Sequence, residues 1–559
     1  MLSSRASFCL LPESPLSVNS EVIMSSTGVQ QGDPLGPLFF SLALKRLTDS
    51  LAAKAPSLRL LLFYLDDGVL VGSVQAVSEA LEFLDSESTN IGLHLNLSKC
   101  EVWWPTRSEE WNVFPPAVKR IDSDGIEFLG AGIGTPEFIN SLAASRVEKA
   151  SHLHNLITEL DDPQSELTLL RSCAGVCKIT HALRTSPPSA IIDAASSFDD
   201  SLRNSLEKLC QAPINDSAWS QASLPIRDGG LGLLAATSSA VPAFVASCSE
   251  AGPHVKQLLA DESILVPGVE EAIDSLRALG GTEAITPEPA PGLQHRLTAS
   301  ICTKQRQDLF DSASIRDKAR LNSLASDHAG AWLQALPMPT MGLAIPAREF
   351  RVLLRHTLGL PIYSAPRPCP TCNGACLDVW GIHSVACGSG GDRIGRHNAV
   401  RDALFHVAEA AALSPILEMG HTIPNSQRRP GDITLPNWLR GRPAAIDVTV
   451  TSPLQNSTVT GAAIETGVAA RRREQAKDDA NVEACESTGS DFLPVAVETF
   501  GAWGPVALST ITAISRRWSD RHGEQRSKAT NWIFQKLSVA LQRGNATMLL
   551  SRNPVTDWP

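Results

Sequence analysis

The chain has 559 residues, a formal net charge of -11 and 43% hydrophobic residues, enough for roughly three or four ordinary globular domains. No apolar run reaches eighteen residues, so no membrane span is expected, and Met1 to Ser20 lack the continuous apolar core and cleavage site of a secretion signal. Twelve cysteines in this length exclude a disulfide scaffold, but four of them lie between Cys369 and Cys387, which points to metal. The acidic balance argues against nucleic acid covering the whole surface. Charge is local, however: eleven Lys/Arg stand against seven Asp/Glu between Arg393 and Lys477, and Arg516 to Lys528 is basic again. The carboxy-terminal third can therefore hold phosphates.

Up to about Gly134, short apolar strands mix with helices, an α+β pattern. The loop Ser26-Thr27-Gly28-Val29-Gln30-Gln31-Gly32-Asp33-Pro34-Leu35-Gly36-Pro37 opens an apolar helix over Leu38 to Ala53. Its prolines suit a helix start, where the missing N–H is no loss. Gly28 and Gly32 let backbone approach a flat ligand such as a base pair. Leu60 to Phe63 and Val69 to Val71 read as short strands, with Asp67-Gly68 as the two-residue turn between them. That puts the adjacent carboxylates of Asp66 and Asp67, next to Tyr64, at the tip of an apolar hairpin. A metal-dependent nucleotidyl transferase needs such a pair, although an Asp-Gly hairpin by itself is also an ordinary turn. Gly92-Leu93-His94-Leu95-Asn96-Leu97-Ser98-Lys99-Cys100 and then Phe128-Leu129-Gly130 follow.

From Asn140 to about Glu250 the periodicity is helical, as in Leu153, Leu156, Ile157 and Leu160 and again in Leu167, Leu170 and Ala174. Pro253 to Arg348 is a quieter helical connector, broken around Gly280 and Pro287 to Pro291. A Pro- and Cys-rich insert from Pro361 to Gly391 contains Cys369-Pro370-Thr371-Cys372, His383 and Cys387. This spacing closes a tetrahedral Zn²⁺ site with no open position, a structural rather than catalytic centre, and leaves Cys376 spare. Beyond it, Arg396-His397-Asn398 opens a helix through Val400, Leu404 and Val407. Arg429-Pro430-Gly431-Asp432-Ile433 precedes a turn. Ala445 to Val450 and Phe492 to Glu498 read as strands, with a charged helix over Ala469 to Ala484 carrying Arg471, Arg472, Arg473 and Lys477.

The order of the amino-terminal motifs, Gln-Gly-Asp-Pro-Leu, then Tyr-x-Asp-Asp, Asn-x-x-Lys and Phe-Leu-Gly, resembles the reverse transcriptase palm and start of the thumb in non-long-terminal-repeat retrotransposons. The resemblance implies that Asp66 holds Mg²⁺ (or Mn²⁺) with help from Asp67, that Gln31 and Gly32 line the template and nucleotide pocket, and that Lys99 is a nearby cationic support. Palms of this kind use a further Asp upstream of the Gln-Gly loop. Here the first Asp is Asp33, preceded only by Glu13 and Glu21. The fingers and the first half of the palm are therefore expected to be missing, as in a truncated element or an incomplete reading frame, and the chain as written is expected not to polymerise.

The carboxy-terminal motifs are similar to the restriction-like endonuclease that follows a Cys/Cys/His/Cys element in one retrotransposon class, as are Asp228-Gly229-Gly230-Leu231-Gly232-Leu233 and Val497-Glu498-Thr499-Phe500-Gly501. By that resemblance Asp432 and Asp447 are the metal ligands. The acidic-x-Lys of the general restriction pattern is replaced by Thr449-Val450-Thr451, and Lys477 on the following helix supplies the lysine; the aromatic expected a turn later is Asn481. Glu418 is a further carboxylate. His397 contacts phosphate or fills a structural role, and Arg471 and Arg472 contact phosphate unless they form a solvated face.

The expected fold is α+β and multidomain: a partial right-hand polymerase palm (1–138), a helical thumb-like region (139–250), a helical connector (251–360), a small zinc element (361–395), a restriction-like α/β endonuclease domain (396–530) and a tail (531–559). The partners implied are an RNA template and target DNA, in the nucleus. The leading function is a fragment of a retrotransposon reverse transcriptase/endonuclease, with a DNA-nicking endonuclease alone, or a non-catalytic nucleic-acid-binding relic, as alternatives.

Overall fold

The computed structural model describes residues 14–18, 21–25, 34–105, 112–259, 266–281, 291–372, 374–420 and 429–553. They fall into two compact units, Met1–Ile139 with Val255–Ser263, and Asn140–His254 with Ile264–Pro559.

In the first unit, β1 (Ser14–Val18) and β2 (Glu21–Ser25) form an antiparallel pair. Helix α1 (Gly36–Lys54) opens on a proline in its first turn, where no N–H bond is lost. It buries Leu44, Leu47 and Leu51, spaced for one helix face, in a cluster with Ala80 and Leu84 of α2 (Val74–Glu87). The Ser73 hydroxyl caps α2 by accepting from the Ala76 N–H. The remaining strands are β3 (Leu60–Tyr64), β4 (Asp67–Val71), β5 (Glu101–Trp103), β6 (Lys119–Ile121), β7 (Gly125–Phe128) and β8 (Ala131–Gly134). Among the described residues they pair as separate two-stranded ladders.

The β3–β4 hairpin is as expected, but its turn is displaced. Tyr64 pairs with Asp67 and Phe63 with Gly68, so the two loop residues are Leu65 and Asp66, not Asp67 and Gly68. Leu65 takes the left-handed conformation (φ 56). Gly68 is held in the strand because the Phe63 ring lies across it: a Cβ there would stand 2.4 Å from that ring. Phe128-Leu129-Gly130 is a second such turn, with φ 48 at Leu129 and 77 at Gly130 between paired Phe128 and Ala131. The Gln31 and Gly32 loop lies outside the described residues.

The second unit begins with a helical array: α3 (Pro136–Ile157, entering from the first unit), α4 (Pro163–Ser172), α5 (Thr180–Thr185), α6 (Ile192–Cys210), α7 (Asp216–Ala222), α8 (Ala236–Leu259), α9 (Val269–Ala278), α10 (Leu293–Ser312), α11 (Ile315–Leu324), α12 (Ala331–Gln334) and α13 (Ala347–Leu358). The 228–233 motif is part of its packing. Leu231 and Leu233 are buried, and Gly230 turns so tightly that a Cβ would stand 2.0 Å from the Leu224 carbonyl oxygen.

After a small hairpin of β9 (Arg367–Pro368) and β10 (Cys376–Leu377), and α14 (Ile382–Ala386), comes α15 (Asp392–Ala410). A four-stranded sheet follows: β11 (Ile416–Leu417), β12 (Ile433–Leu435), β13 (Ala444–Thr451) and β14 (Asp491–Glu498), in that spatial order. The first three strands run antiparallel; β14 is parallel to β13. The crossover between them contains α16 (Val459–Ala462) and α17 (Val468–Glu486), as a parallel pair requires. Helices α18 (Pro505–His522) and α19 (Arg526–Leu550) complete the chain order.

Strand alternation sorts β13 into two faces. Ile446, Val448 and Val450 join the main core with Val400 and Leu404 of α15, Ile511 and Ile514 of α18, and Ile533, Phe534, Leu537 and Leu541 of α19. Ala445 packs on the other face with Phe492 and with Cys485 of α17. The boundary drawn at 530 therefore falls inside a continuous helix: Ile533, Phe534, Leu537 and Leu541 beyond it belong to the core, as the apolar face that α19 turns to the sheet. Phe534 is 0% exposed, so Phe534→Ala is expected to destabilise the second unit by about 3–5 kcal/mol in denaturant titration, whereas a true tail position would cost nothing measurable.

Candidate functional site

Asp66 sits in the β3–β4 turn and Asp67 opens β4; both are exposed. Among the described residues, neither carboxylate has a hydrogen-bonding or ion-pair partner, so both present free hard oxygen donors of the kind that suit Mg²⁺ or Mn²⁺. Lys99 is exposed on a single 3₁₀ turn, Leu97–Lys99, and makes no bond to either.

The carboxy-terminal residues converge. Asp432 stands immediately before β12, in register opposite Asp447 of β13. Its N–H donates to the Ile446 carbonyl at 2.8 Å, and its Oδ2 accepts from the Val448 N–H at 2.8 Å. Gly431 makes this close approach possible, because a Cβ there would lie 2.6 Å from the Ile446 oxygen. Asp432 Oδ1 lies 3.4 Å from His397 Nε2. Asp447 is 8% exposed and its Oδ2 lies 2.7 Å from Lys477 Nζ. Helix α17 covers the β13 face that carries Asp447, and this places Lys477 over the carboxylate. His397, Asp432, Asp447 and Lys477 line one cavity of about 410 Å³ together with Arg393 and Arg473.

Burial pushes the Asp447 carboxyl up, and nearby Asp432 adds to that, against the ion pair with Lys477. For Asp432 burial acts in the same upward sense but is outweighed by His397, the Val448 N–H and Lys477, which hold it below the usual carboxylate range. Two carboxylates with opposed shifts, set opposite each other across adjacent chain segments and both lining one polar cavity, form a donor set that fits a divalent cation.

Three of the residues expected from sequence lie outside this cavity. Arg471 pairs with Glu465 at 2.8 Å, Arg472 donates to the Ser457 carbonyl at 3.1 Å, and neither is in the cavity lining. Arg473 does, because it lies four residues before Lys477, one helical turn away on the same face. Arg393 is one turn before His397 for the same reason. Glu418 is taken up by Arg401 at 2.8 Å and Arg429 and is not part of the cavity lining. The spacing of four in 393/397 and 473/477 was the signal available in the sequence. Glu498 of the 497–501 motif is a positioning group: its Oε1 accepts from the Ala469 and Ala470 N–H groups at 2.8 and 3.3 Å, capping α17 and fixing the helix that carries Lys477.

Cys369, Cys372, His383 and Cys387 come together with all their ligand atoms within 4.8 Å of one another. Ligand sulfurs around a tetrahedral zinc stand about 3.8 Å apart, so the group fits that ion. The β9–β10 hairpin holds Cys369, whose N–H donates to the Ala375 carbonyl at 2.9 Å. Asp378 accepts from the Ile382 and His383 N–H groups at 3.0 Å, which orients α14 and its histidine. Burial alone would raise the Cys369 thiol, but the backbone around Cys372 and Thr371 and the His383 ring bring it down to about 6, the thiolate that zinc requires. Exposed Cys376 is outside the set. Arg552, which sequence reasoning missed, pairs with Asp392 at 2.9 Å and feels the Cys387 thiol electrostatically. Elemental analysis of purified protein should find about one zinc per chain, falling sharply in Cys372→Ser; a stoichiometry near zero in the native chain would refute the site.

Residues 6–133 match the family described as reverse transcriptase (RNA-dependent DNA polymerase). This segment contains Gln31, Gly32, the Asp66-Asp67 hairpin and Lys99, and ends within β8. Reverse transcriptase domains use Mg²⁺ or Mn²⁺ and an RNA template, which agrees with the hard donors at the hairpin tip. No curated protein matches the chain.

Proposed function

We propose that this is a reverse transcriptase/endonuclease protein of the non-long-terminal-repeat retrotransposon type, whose carboxy-terminal unit nicks target DNA and whose amino-terminal palm derives from an RNA-directed DNA polymerase. The division proposed is palm to 138, a thumb-like region to 250, a connector to 360, the zinc element to 395 and a nuclease beyond. The observation that carries the nuclease is the meeting of Asp432, Asp447, Lys477 and His397 in one cavity. Sheet order and the crossover through α17 support it, since they bring a strand carboxylate and a helix lysine together without the acidic-x-Lys strand pattern.

A divalent cation held by Asp432 and Asp447 would stabilise the charge that builds on the scissile phosphate. The chain's own groups do the rest. Lys477 opposes the burial that disfavours the Asp447 carboxylate and is close enough to orient an attacking water. His397 braces Asp432 through Oδ1, while the Val448 N–H fixes Oδ2. Arg393 and Arg473 give the cavity a cationic rim that draws a phosphate in and leaves the carboxylates to the metal. The zinc element is structural, with its four protein ligands leaving no open position.

For the palm, the residues before Gln31 contain no Asp. A palm of this type holds two ions with a third carboxylate besides Asp66 and Asp67, and we propose that the 559 residues of this sequence do not by themselves supply it. Supercoiled plasmid incubated with Mg²⁺ or Mn²⁺ should be relaxed by the native chain, and Asp447→Ala should slow this by at least about a hundredfold; equal rates would leave a non-catalytic nucleic-acid binder. Template-dependent primer extension should not exceed that of Asp66→Ala, and synthesis clearly above that control would restore the polymerase.

A further inference from the structure

A second cavity of about 190 Å³ adjoins the first and shares Arg393, Val450 and Arg473 with it. It is lined in addition by Arg396, Thr451, Ser452 and Gln455, and no carboxylate lines it. Arg396 is 3% exposed. Its Nη1 donates to two neutral acceptors, the Val385 carbonyl at 2.9 Å and Asn545 Oδ1 at 2.8 Å, while its Nε is buried without a partner. Arg396 has no ion pair among the described residues. Two other buried arginines have ion pairs: Arg320 with Asp317 at 3.2 Å and Arg552 with Asp392 at 2.9 Å. A buried, unpaired cation is costly, and the cost shows in Arg396, whose guanidinium is brought down to about 10 by burial and by the like charges of Arg393 and Arg552. Arg393 and Arg473 are exposed and, among the described residues, make no hydrogen bond or ion pair.

We propose that Arg393, Arg396 and Arg473 form a phosphate site beside the cleavage cavity, which holds a non-scissile phosphodiester of the same DNA strand a few nucleotides at most from the cut. Three cationic groups with unused donors, and hydroxyl and amide groups between them, match the tetrahedral oxygens of a phosphate. Val450 is three residues beyond Asp447, about 10 Å along β13, which is within reach of a neighbouring phosphate on one strand. Filling the site supplies the counter-charge that Arg396 lacks. The position of this phosphate then sets which bond lies over Asp432 and Asp447, so the inference rests on the nuclease reading for its biological meaning but not for its chemistry.

The test uses the full-length protein in EDTA, so that binding is read without cleavage. Affinity for a short DNA duplex is measured across a salt series, and inorganic phosphate binding is followed by calorimetry. Arg393→Gln/Arg473→Gln, both exposed positions, should lower the slope of log K against log salt by about one to two and weaken phosphate binding about tenfold or more, roughly the loss of one charge-assisted contact. Arg396→Gln should act alike and Arg396→Lys recover part of the loss, with thermal melting confirming that both fold. An unchanged slope and unchanged phosphate affinity in the folded double variant overturn the site. Plasmid nicking by the native chain separates the two ideas. Nicking with an unchanged slope leaves the nuclease and removes the phosphate site; an arginine-dependent slope without nicking supports the phosphate site and removes the nuclease.

Discussion

The carboxy-terminal unit depends on a carboxylate placed in the middle of a covered sheet. Strand β13 is apolar on the face that meets α15, α18 and α19, and on its other face it carries Asp447 beneath α17. A charge in that position is tolerated only where an opposite charge or strong donors meet it. Lys477 does so from the helix above, and Asp432 shares the environment from the facing strand. This electrostatic demand fixes the approach of α17 to the sheet more narrowly than apolar packing would, since the ammonium must reach one particular strand position.

The same rule recurs through the surrounding helices. Glu498 at the end of β14 accepts from the first turn of α17. Glu474, within α17, accepts from the Val506 and Ala507 N–H groups at 3.1 and 2.9 Å at the start of α18. Gly504 clears the way, because a Cβ there would meet the Glu474 carboxylate at 2.2 Å. In both glutamates burial pushes the carboxyl up, and the helix N–H groups oppose it. Buried carboxylate and helix dipole thus compensate each other twice in succession, from β14 to α17 and from α17 to α18. The lysine of the cavity is held by a helix fixed at its start from one side and bonded near its middle on the other.

Much of this was legible in residue patterns because strand and helix periods are local. The strand patterns over 445–450 and 492–498, the charged helix between them and the Cys/His spacing each carry their own geometry. The hairpin turn was misplaced because Asp-Gly is a strong local signal, while the cross-strand cover of Gly68 by Phe63 is a pair interaction that spacing does not display. The role of residues 531–550 was missed for a related reason: α19 mixes polar and apolar residues, and which face it buries is decided by a sheet about a hundred positions earlier. Arg473 and Arg393 could have been separated from Arg471 and Arg472 by counting in fours from Lys477 and His397. Arg552 could not, since its pairing with Asp392 is distant in sequence and leaves no periodic trace.

That link gives the end of the chain a mechanical part. Tyr363, just before the zinc-type cluster, donates its hydroxyl to the Leu549 carbonyl at 2.8 Å, and Arg552 pairs with Asp392 at the start of α15 and donates to the Ser389 carbonyl at 3.3 Å, two residues past Cys387. The last turn of α19 is therefore a clasp between the cysteine loop and the helix that bears Arg393, Arg396 and His397. An ion held by the loop would share one fastening with the seating of that helix, so tightening either would favour the other through ordinary thermodynamic linkage.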